Sequence, residues 1–544
     1  MRGRWTDRRN WPWLPRRLRF RVFGLIDVIA LWVLVGALVG GGAWWGADTY
    51  LDQRNYCSAD HDLRREGDEC IGVTARPDAF GPDLDSDVRQ VLERIENENA
   101  GARKSAPQKQ VVSVAVVMPY TAEEPGAAMS KELILHALQG AYVAQYEHNH
   151  GSTTKGTAIQ LLFANVGESL DQWRDVTKEL KSRTKDEVAP LVAAIGFPNS
   201  DSETLDSVQD LGKHRIPAVS AVLSSTDMED PYLFKVSPSN SQLVDALKEY
   251  VKRNGVNRER TFMIADDRED NYVSNLREVL RKKFGADYGI TDDPVRRSIE
   301  MYQGEKGPKR GDVQDFRESV EAMCDADTRT VFLAGRDADL QPFLEAIDET
   351  NSCRYRSDDP LRILRVSTAR DPDTESPTIG EVARRLHIRI VTAAAVDAPR
   401  WERGEGETPR HFGRFESAYE RSFTGEGRGA LNDGYAVMYH DALAAVSNAV
   451  KQAGSSSSGD GAVTHDDVQD QLRKGSPQDD CAQCVQAASG DFTFVDADES
   501  DARAGVGQWP VCKPVPIVTF PERSRSESPL YRTYESAHSK CPAA

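Results

Sequence analysis

The fold is decided by residues 188–225, VAPLVAAIGFPNSDSETLDSVQDLGKHRIPAVSAVLSS, and by residues 232–276, YLFKVSPSNSQLVDALKEYVKRNGVNRERTFMIADDREDNYVSNL. Short apolar runs such as LVAAIG, IPAVSAV and TFMIAD alternate there with segments whose apolar residues recur at helical spacing. This alternation is typical of βαβ units, in which helices cover both faces of a parallel sheet. Small polar residues follow the strands, at the edge where open α/β sheets bind ligands. The stretch therefore predicts an α/β fold with a ligand site at the strand ends.

Length and charge restrict the class of protein. The chain has 544 residues, which is enough for more than one domain or for a body of two lobes. Its net charge is −18, although residues 1–21 hold eight arginines against one aspartate, so the remainder is even more acidic than the whole. A body this acidic repels phosphate backbones. We therefore expect no nucleic-acid partner.

An uncharged segment near the start predicts a membrane anchor. Residues 28–47, VIALWVLVGALVGGGAWWGA, are 20 residues without a charge, long enough to cross a bilayer as a helix. Arginines precede this run, so the positive-inside rule places a basic tail, residues 1–21, in the cytoplasm and the body outside the cell. We predict a single-pass cell-membrane protein with a transmembrane anchor at 22–47. The alternative is a cleaved signal peptide, which would have a shorter apolar core and a small-residue cleavage site.

Residues 48–110 are expected to form an extracellular stalk. An amphipathic helix within it is predicted from one apolar stripe, which consists of Leu84, Val88, Val91, Leu92 and Ile95. The segment GARKSAPQKQ then has the composition of a linker.

Eight cysteines follow the predicted anchor, in the compartment where disulfides persist. Local sequence suggests the pairs Cys57–Cys70 and Cys324–Cys353. It leaves four cysteines unassigned: Cys481, Cys484, Cys512 and Cys541. The spacing of Cys481 and Cys484 also fits a redox motif or half of a zinc site. Because no second CxxC or HxxxH accompanies them, an extracellular disulfide is the simpler interpretation.

Four segments, taken in order, resemble the type I periplasmic-binding-protein family, and within it the branched-chain amino acid receptors of ABC transporters. Two of them lie within the stretches quoted above, LVAAIGFPNSDSETL…KHRIPAVSAVLSS and YLFKVSPSNSQLVDALKEYVKRNG…FMIADDREDNYVSNL. The others are HALQGAYVAQYEHNHGSTTKGTAIQLLFANVG (136–167) and LNDGYAVMYHDALAAVSNAV (431–450). The sequence departs from the family at Asn165, around Tyr272, and in the loop GFPNSDS.

The resemblance implies two Rossmann-like lobes with parallel sheets, joined by a three-strand hinge and closing over a ligand. It assigns 111–237 and 398–500 to the first lobe, and 238–397 and 505–530 to the second. Residues 531–544 are left as a tail, which we expect to be poorly ordered.

The resemblance also implies site residues in the first lobe. Ser200 and Ser202 follow a buried strand at the start of a helix, where hydroxyls and free N–H groups suit a ligand carboxylate. The same Ser-x-x-Glu pattern is also a capping box, which would satisfy the helix by itself. Leu223, Ser224 and Ser225 end the next strand and match the family's second ligand loop, with a simple turn as the alternative.

In the second lobe, Tyr272 corresponds to a tyrosine that covers the ligand, with interlobe packing as the alternative. Arg336 and Asp337 follow the strand TVFLAG, and Asp337 could pair with a ligand amino group or be solvated. Asp371, after RVSTAR, is a weaker candidate of the same kind.

No enzyme motif is present: the sequence has no GxSxG, no P-loop, no HExxH and no GxGxxG after a strand. We therefore expect no enzyme and no cofactor. The sequence predicts a membrane-anchored extracellular protein that binds an amino acid or a similar small polar ligand and serves an ABC permease. The alternative is a sensory or interaction ectodomain with the same fold.

Overall fold

The structure is a computed structural model of the chain. It describes residues 56–58, 62–82, 84–105, 109–121, 127–151, 156–256, 260–268, 270–291, 298–304, 311–350, 353–369, 377–425, 428–456, 462–474, 484–495, 509–521, 531–534 and 541. Among these residues, none of the helices combines the length and the apolar character needed to cross a bilayer. The predicted basic tail, the predicted anchor at 22–47 and Asp371 lie outside the described residues.

The first lobe is built on a seven-stranded sheet with the order β1-β2-β4-β3-β5-β6-β7. Its strands are β1 (Leu63–Glu66), β2 (Glu69–Thr74), β3 (Gln110–Met118), β4 (Thr157–Asn165), β5 (Leu191–Gly196), β6 (Ala218–Ser220) and β7 (Leu233–Lys235). The five strands from β3 to β7 are parallel, and their residues are mostly apolar and almost wholly buried, as expected for a sheet covered on both faces.

Helices cover both faces of this sheet. They are α1 (Ser86–Lys104), α2 (Lys131–His150), α3 (Trp173–Arg183) and α4 (Ser202–Gly212). One apolar cluster joins α1 and α2 to the alternate residues Val112, Val114 and Val116 of β3. A second cluster joins α3 and α4 to Ala115 and Val117 on the opposite face. The two clusters lie on opposite faces because successive side chains along a strand point to opposite faces of the sheet.

The second lobe is built on a six-stranded sheet with the order β16-β12-β11-β10-β8-β9. Its strands are β8 (Thr261–Asp266), β9 (Ile299–Tyr302), β10 (Thr330–Ala334), β11 (Leu361–Ser367), β12 (Ile388–Ala394) and β16 (Ile517–Phe520). Its helices are α5 (Asn240–Arg253), α6 (Asn271–Tyr288), α7 (Val313–Asp325), α8 (Leu340–Glu349) and α9 (Pro377–Arg385). All strand pairs are parallel except β12 with β16, which are antiparallel.

After β12 the chain returns to the first lobe. It adds α10 (Ala398–Glu402), α11 (Phe412–Ser422), α12 (Tyr435–Ser456) and α13 (His465–Arg473) there. Helix α12 packs so closely on α2 that a Cβ at Gly140 would lie 1.9 Å from the carbonyl oxygen of Ala436. Only glycine allows this approach.

The chain passes between the lobes three times, near residues 236–239, 395–397 and 512–516. At the third passage, β14 (Trp509–Val511) pairs with β13 (Thr493–Val495), whose Phe494 belongs to the core of the first lobe. Residues 509–511 therefore lie with the first lobe, although the sequence assigned 505–530 to the second.

The part of the tail that is described is tied to this third passage. Strand β15 (Pro514–Val515) pairs with β17 (Tyr531–Arg532), and a disulfide joins Cys512 to Cys541. Tyr534 N–H also donates to Gln242 Oε1 of α5, at 2.9 Å. The expectation of a poorly ordered end is therefore wrong for residues 531–534, because backbone pairing and a covalent bond hold them.

The described part of the predicted stalk also belongs to the first lobe. Strand β2 pairs antiparallel with β4 and extends the sheet, and α1 packs against α2 and β4. The apolar stripe predicted for this helix is correct, but its residues enter the core of the lobe. Burial removes the apolar surface of this stripe from water, whereas a solvated stalk would leave it exposed.

The structure contains both suggested disulfides, Cys57–Cys70 and Cys324–Cys353. Cys484 is also disulfide-bonded, and Cys481 lies outside the described residues. Among the described residues no cluster of His, Cys, Asp or Glu could hold a metal ion.

Candidate functional site

A cavity of about 540 Å³ lies between the two lobes, at the carboxyl ends of both sheets. Its volume falls in the range of ligand pockets that take small organic molecules. The first lobe contributes Ala128, Ser130, Glu132, Leu133, His136, Pro198, Asn199, Ser200, Val222, Ser224, Gly429, Asp433 and Tyr435. The second lobe and the connecting segments contribute Ser237, Leu243, Tyr272, Arg336, Asp337, Ala338, Ser367, Thr368 and Ala369. The strand-end position predicted from the sequence is thus where this cavity lies.

Ser200 lines the cavity in the loop between β5 and α4. Gly196 ends β5 with φ of +111°, and a Cβ there would lie 2.5 Å from the carbonyl oxygen of Val117, so this turn requires glycine. The cap of α4 is Asp201, whose carboxylate accepts from Thr204 N–H at 2.9 Å. The N-cap of α4 is therefore Asp201 and not Ser200, as the capping-box pattern had suggested. Within the described residues the Ser200 hydroxyl has no hydrogen-bond partner, so it is available to a ligand.

Ser224 gives a second hydroxyl to the same wall. Its carbonyl oxygen accepts from Asn240 N–H at 2.7 Å, while its hydroxyl bonds to none of the described residues. Two hydroxyls thus line the cavity at the ends of neighbouring strands.

Three other predicted residues do not line the cavity. Ser202 is the first residue of α4 and is exposed, with its hydroxyl bonded to Glu203 Oε2 at 2.8 Å. Leu223 is buried in the core of the first lobe. Ser225 is buried and donates to the carbonyl oxygen of Asn271 in the second lobe, at 3.0 Å. Of the three candidates in the loop after β6, Leu223, Ser224 and Ser225, the residue that lines the cavity is therefore Ser224.

Tyr272 lines the cavity from the second lobe, in the first turn of α6. The cap of this helix is Asp270, whose Oδ1 accepts from Val273 N–H at 2.9 Å. Asp270 Oδ2 accepts from both Nε and Nη2 of Arg336, at 3.2 and 2.7 Å. The Arg336 guanidinium lies 5.4 Å from the centre of the Tyr272 ring. One aspartate thus fixes the helix start that carries Tyr272 and the arginine beside it.

Asp337 also lines the cavity, but its carboxylate is already engaged. It accepts from the guanidinium of Arg365 and, at 2.8 Å, from the hydroxyl of Ser367. Arg365 is almost fully buried in β11. The prediction that Asp337 lies at the site stays compatible with this geometry, although a ligand amino group would share an oxygen with these two donors.

Sequence reasoning missed one imidazole–carboxylate pair of the cavity wall. His136 Nδ1 lies 2.5 Å from Asp433 Oδ2, and Asp433 Oδ1 accepts from Tyr435 N–H at 2.9 Å. These residues come from α2 and from the start of α12, both of which were quoted for the family resemblance. No local sequence motif marks these residues as part of the site, because their proximity depends on how the two helices pack.

Burial changes the acidity of several groups at the cavity. It raises the pKa of the Tyr272 hydroxyl, and it raises the pKa of Tyr435 to about 12. Both phenols are therefore protonated at neutral pH and can donate hydrogen bonds. Next to the cavity wall, burial also raises the pKa of Asp201 to about 6, although the charge of Arg336 acts in the opposite direction.

No protein-family profile and no curated protein matches the sequence. Solved structures do match in fold. One is the substrate-binding protein LivJ of a branched-chain amino acid transporter from Streptococcus pneumoniae, in complex with isoleucine. It has 14% identity and a TM-score of 0.52, and the match covers 78% of this chain and 100% of that one.

A second match is the solute-binding protein of an ABC transporter from R. palustris, in complex with 4-hydroxybenzoate. It has 12% identity and a TM-score of 0.52, covering 78% of this chain and 96% of that one. Likeness at such low identity establishes the fold. The two-lobed α/β architecture predicted from four segments of sequence is therefore confirmed.

Proposed function

Starting from the type I periplasmic-binding-protein fold of this chain, we propose that it is a solute-binding protein. It would capture a small polar molecule without net charge, such as a neutral amino acid, between its lobes. The observation that carries the proposal is a cavity walled by both lobes, with two serine hydroxyls on the first lobe and charged side chains on both lobes.

The charge of the cavity supports a ligand without net charge. Its inner charged side chains already have partners: Arg336 pairs with Asp270, Asp337 pairs with Arg365, and Asp433 is in hydrogen-bond contact with His136. Glu132 is exposed. A net charge brought into a cavity whose own charges are already compensated loses hydration without gaining a counter-charge. A zwitterion or an uncharged polar molecule avoids this cost.

A zwitterionic ligand would find partners for both of its ends. Its carboxylate can accept from Ser200 and Ser224, and hydrogen bonds to a charged group are the stronger kind. Its ammonium group can donate to carboxylate oxygens that already line the wall, those of Asp337 or Asp433. Leu133, Val222 and Leu243 add apolar surface for a side chain. We therefore place neutral amino acids ahead of anions such as 4-hydroxybenzoate.

We further propose that the protein is held in the cell membrane by residues 22–47, with its body outside the cell. In that position it would present its ligand to an ABC permease. A sensory or interaction ectodomain is the second candidate, favoured by the predicted uncleaved anchor. The second role needs no permease, and an interaction domain would not need a small ligand in the cleft.

A ligand screen tests the proposal. The full-length chain in detergent is exposed to neutral, acidic and basic amino acids and to 4-hydroxybenzoate, and its thermal unfolding is followed by tryptophan fluorescence. We expect stabilisation by one or more neutral amino acids, since a ligand that binds only the folded state raises its stability. Stabilisation by acidic or basic ligands alone would contradict the charge argument, and no stabilisation by any ligand would favour the second candidate.

A further inference from the structure

A cluster of polar side chains joins the two lobes beside the cavity. Asn275 Nδ2 donates to Thr226 Oγ1 at 2.6 Å, and Asn275 Oδ1 accepts from Thr226 N–H at 3.2 Å. Asn271 Nδ2 donates to Asp227 Oδ2 at 2.9 Å, and Ser225 Oγ donates to the carbonyl oxygen of Asn271. We call these five residues the interlobe clasp.

The clasp is separate from the ligand site. None of its five residues is part of the cavity wall described above. Asn240 supports the clasp: it is fully buried, and its side-chain amide donates a hydrogen bond to Asn275 Oδ1 at 3.0 Å. Asn240 stands at the start of α5, directly after the first passage of the chain between the lobes.

The clasp acts on the same helix turn that carries Tyr272. Asn271 and Asn275 flank Tyr272 in α6, and Tyr272 N–H donates to the carbonyl oxygen of Ser200 at 3.2 Å. Fixing this turn against residues 225–227 therefore fixes the ring of Tyr272 over the cavity. The contact uses protein groups alone and needs no ligand atom.

We infer that the clasp holds the lobes together before any ligand binds, and that Asn275 is the positioning residue on which this contact depends. Ligand affinity is then high because little free energy is lost in closing the lobes. The apparent dissociation constant of such a receptor is the intrinsic one divided by the fraction that is already closed. The inference has two parts. Its ligand arm, the effect on ligand affinity, rests on the proposed function, whereas its conformational arm, the distance between the lobes, does not.

The conformational arm is tested on the ligand-free, full-length chain in detergent. Spin labels are placed at two exposed lysines, Lys178→Cys on α3 and Lys282→Cys on α6, and the distance between them is measured by double electron–electron resonance. We expect one short, narrow distance in the parent. Asn275→Ala should add a longer-distance population, because it removes the bonds to Thr226 and to Asn240.

Two further variants separate positioning from general damage. Asn275→Asp keeps the acceptor for Thr226 N–H and lets the Thr226 hydroxyl donate, so we expect it to retain the short distance. Asn254→Ala, at an exposed position after α5 in the same lobe, should also retain it. A broad or long distance in the ligand-free parent, or an unchanged distance in Asn275→Ala, would overturn the inference.

The ligand arm adds a quantitative check. If the screen finds a ligand, Asn275→Ala should weaken its binding by the same factor by which the closed fraction falls, about 10-fold for a closed fraction reduced to one tenth. A change in affinity without a change in distance would contradict the inference while leaving the proposed function intact. Failure of every ligand would reject the proposed function, and the distance measurement would still decide the clasp.

Discussion

The backbone N–H of Tyr272 in the second lobe donates a hydrogen bond to the carbonyl oxygen of Ser200 in the first, at 3.2 Å. Two residues proposed for the ligand site from separate stretches of sequence thus touch each other across the cleft. The bond occupies the carbonyl group of Ser200 and leaves its hydroxyl at the cavity. It also places the start of α6 against the loop that precedes α4.

Loss of either cavity hydroxyl should weaken ligand binding. Ser200→Ala or Ser224→Ala removes a hydrogen bond to the ligand carboxylate, worth about 1.5–3 kcal/mol, which corresponds to a roughly 10- to 150-fold weaker affinity. Calorimetry with the ligand found in the screen measures the change. Ser202→Ala is the matched control, because that hydroxyl is exposed and bonds to Glu203. Equal effects of all three substitutions would contradict the assignment.

The Tyr272 ring should control how fast the ligand leaves. Because the ring reaches the cavity from the second lobe, Tyr272→Ala uncovers the ligand, and we expect mainly faster dissociation. Tyr272→Phe keeps the ring and isolates the contribution of the hydroxyl. Stopped-flow fluorescence separates the two rates. A slower association rate with unchanged dissociation in Tyr272→Ala would show that the ring does not cover the ligand.

A buried lysine should make stability depend on pH. Lys235 is fully buried, its amine hydrogen-bonds to none of the described residues, and it lies 4.2 Å from the ring centre of Trp509. Burial lowers its pKa to about 7. Between pH 7 and about 10 the unfolded chain, with a lysine pKa of about 10.4, binds more protons than the folded one, so this group makes the free energy of unfolding rise with pH.

Lys235→Met should therefore stabilise the protein at pH 7 by about 1–4 kcal/mol, and the gain should shrink as the pH approaches 10. Urea titrations at several pH values measure it. Lys178→Met, at an exposed position on α3, is the control and should change little. A gain that is constant with pH would mean that the amine of Lys235 is not the cause.

The disulfide of the second lobe should contribute to stability. Cys324 and Cys353 are separated by 29 residues, and a closed loop of that length stabilises the fold by about 3–4 kcal/mol through restriction of the unfolded chain. The double variant Cys324→Ala, Cys353→Ala should lose about that much free energy of unfolding. Mass spectrometry of a non-reduced digest provides the direct check, and a free thiol at either position would refute the pairing.

The predicted anchor is tested on intact cells. Added protease should degrade the body and leave a protected fragment of about the first 50 residues, because a helix across the bilayer shields the segment before it. Sequencing of the mature N-terminus completes the test. A mature chain that begins beyond residue 47 would show a cleaved signal peptide instead.

Most of the fold could be predicted because buried parallel strands have an unmistakable composition. Runs such as LVAAIG and FMIA contain no polar residue to place on a solvated face, so these strands are visible in the sequence. Strand β2, with the residues ECIGVT, was missed because a short strand next to a turn, with a polar residue at each end, lacks that contrast. Its place in the first lobe comes from pairing with β4, which local sequence does not encode.

The site was predictable where it follows a strand and unpredictable where it depends on packing between helices. Ser200 and Ser224 could be proposed because they lie in the loops after β5 and β6 and match the ligand loops of the family that the sequence resembles. His136 and Asp433 lie almost 300 positions apart, and only the packing of α2 on α12 brings them together. Asp337 lines the cavity, but its engagement with Arg365 could not be foreseen without knowing that β10 and β11 are neighbours.

The pairing of β15 with β17, closed by the Cys512–Cys541 disulfide, has a mechanical consequence. It turns one of the three connections between the lobes into a two-stranded, cross-linked ribbon, while the other two described passages are single chains. A cross-linked ribbon resists torsion more than a single extended chain does. The axis about which the lobes rotate should therefore run close to residues 512–515, and the angle of rotation should widen when that bond is reduced.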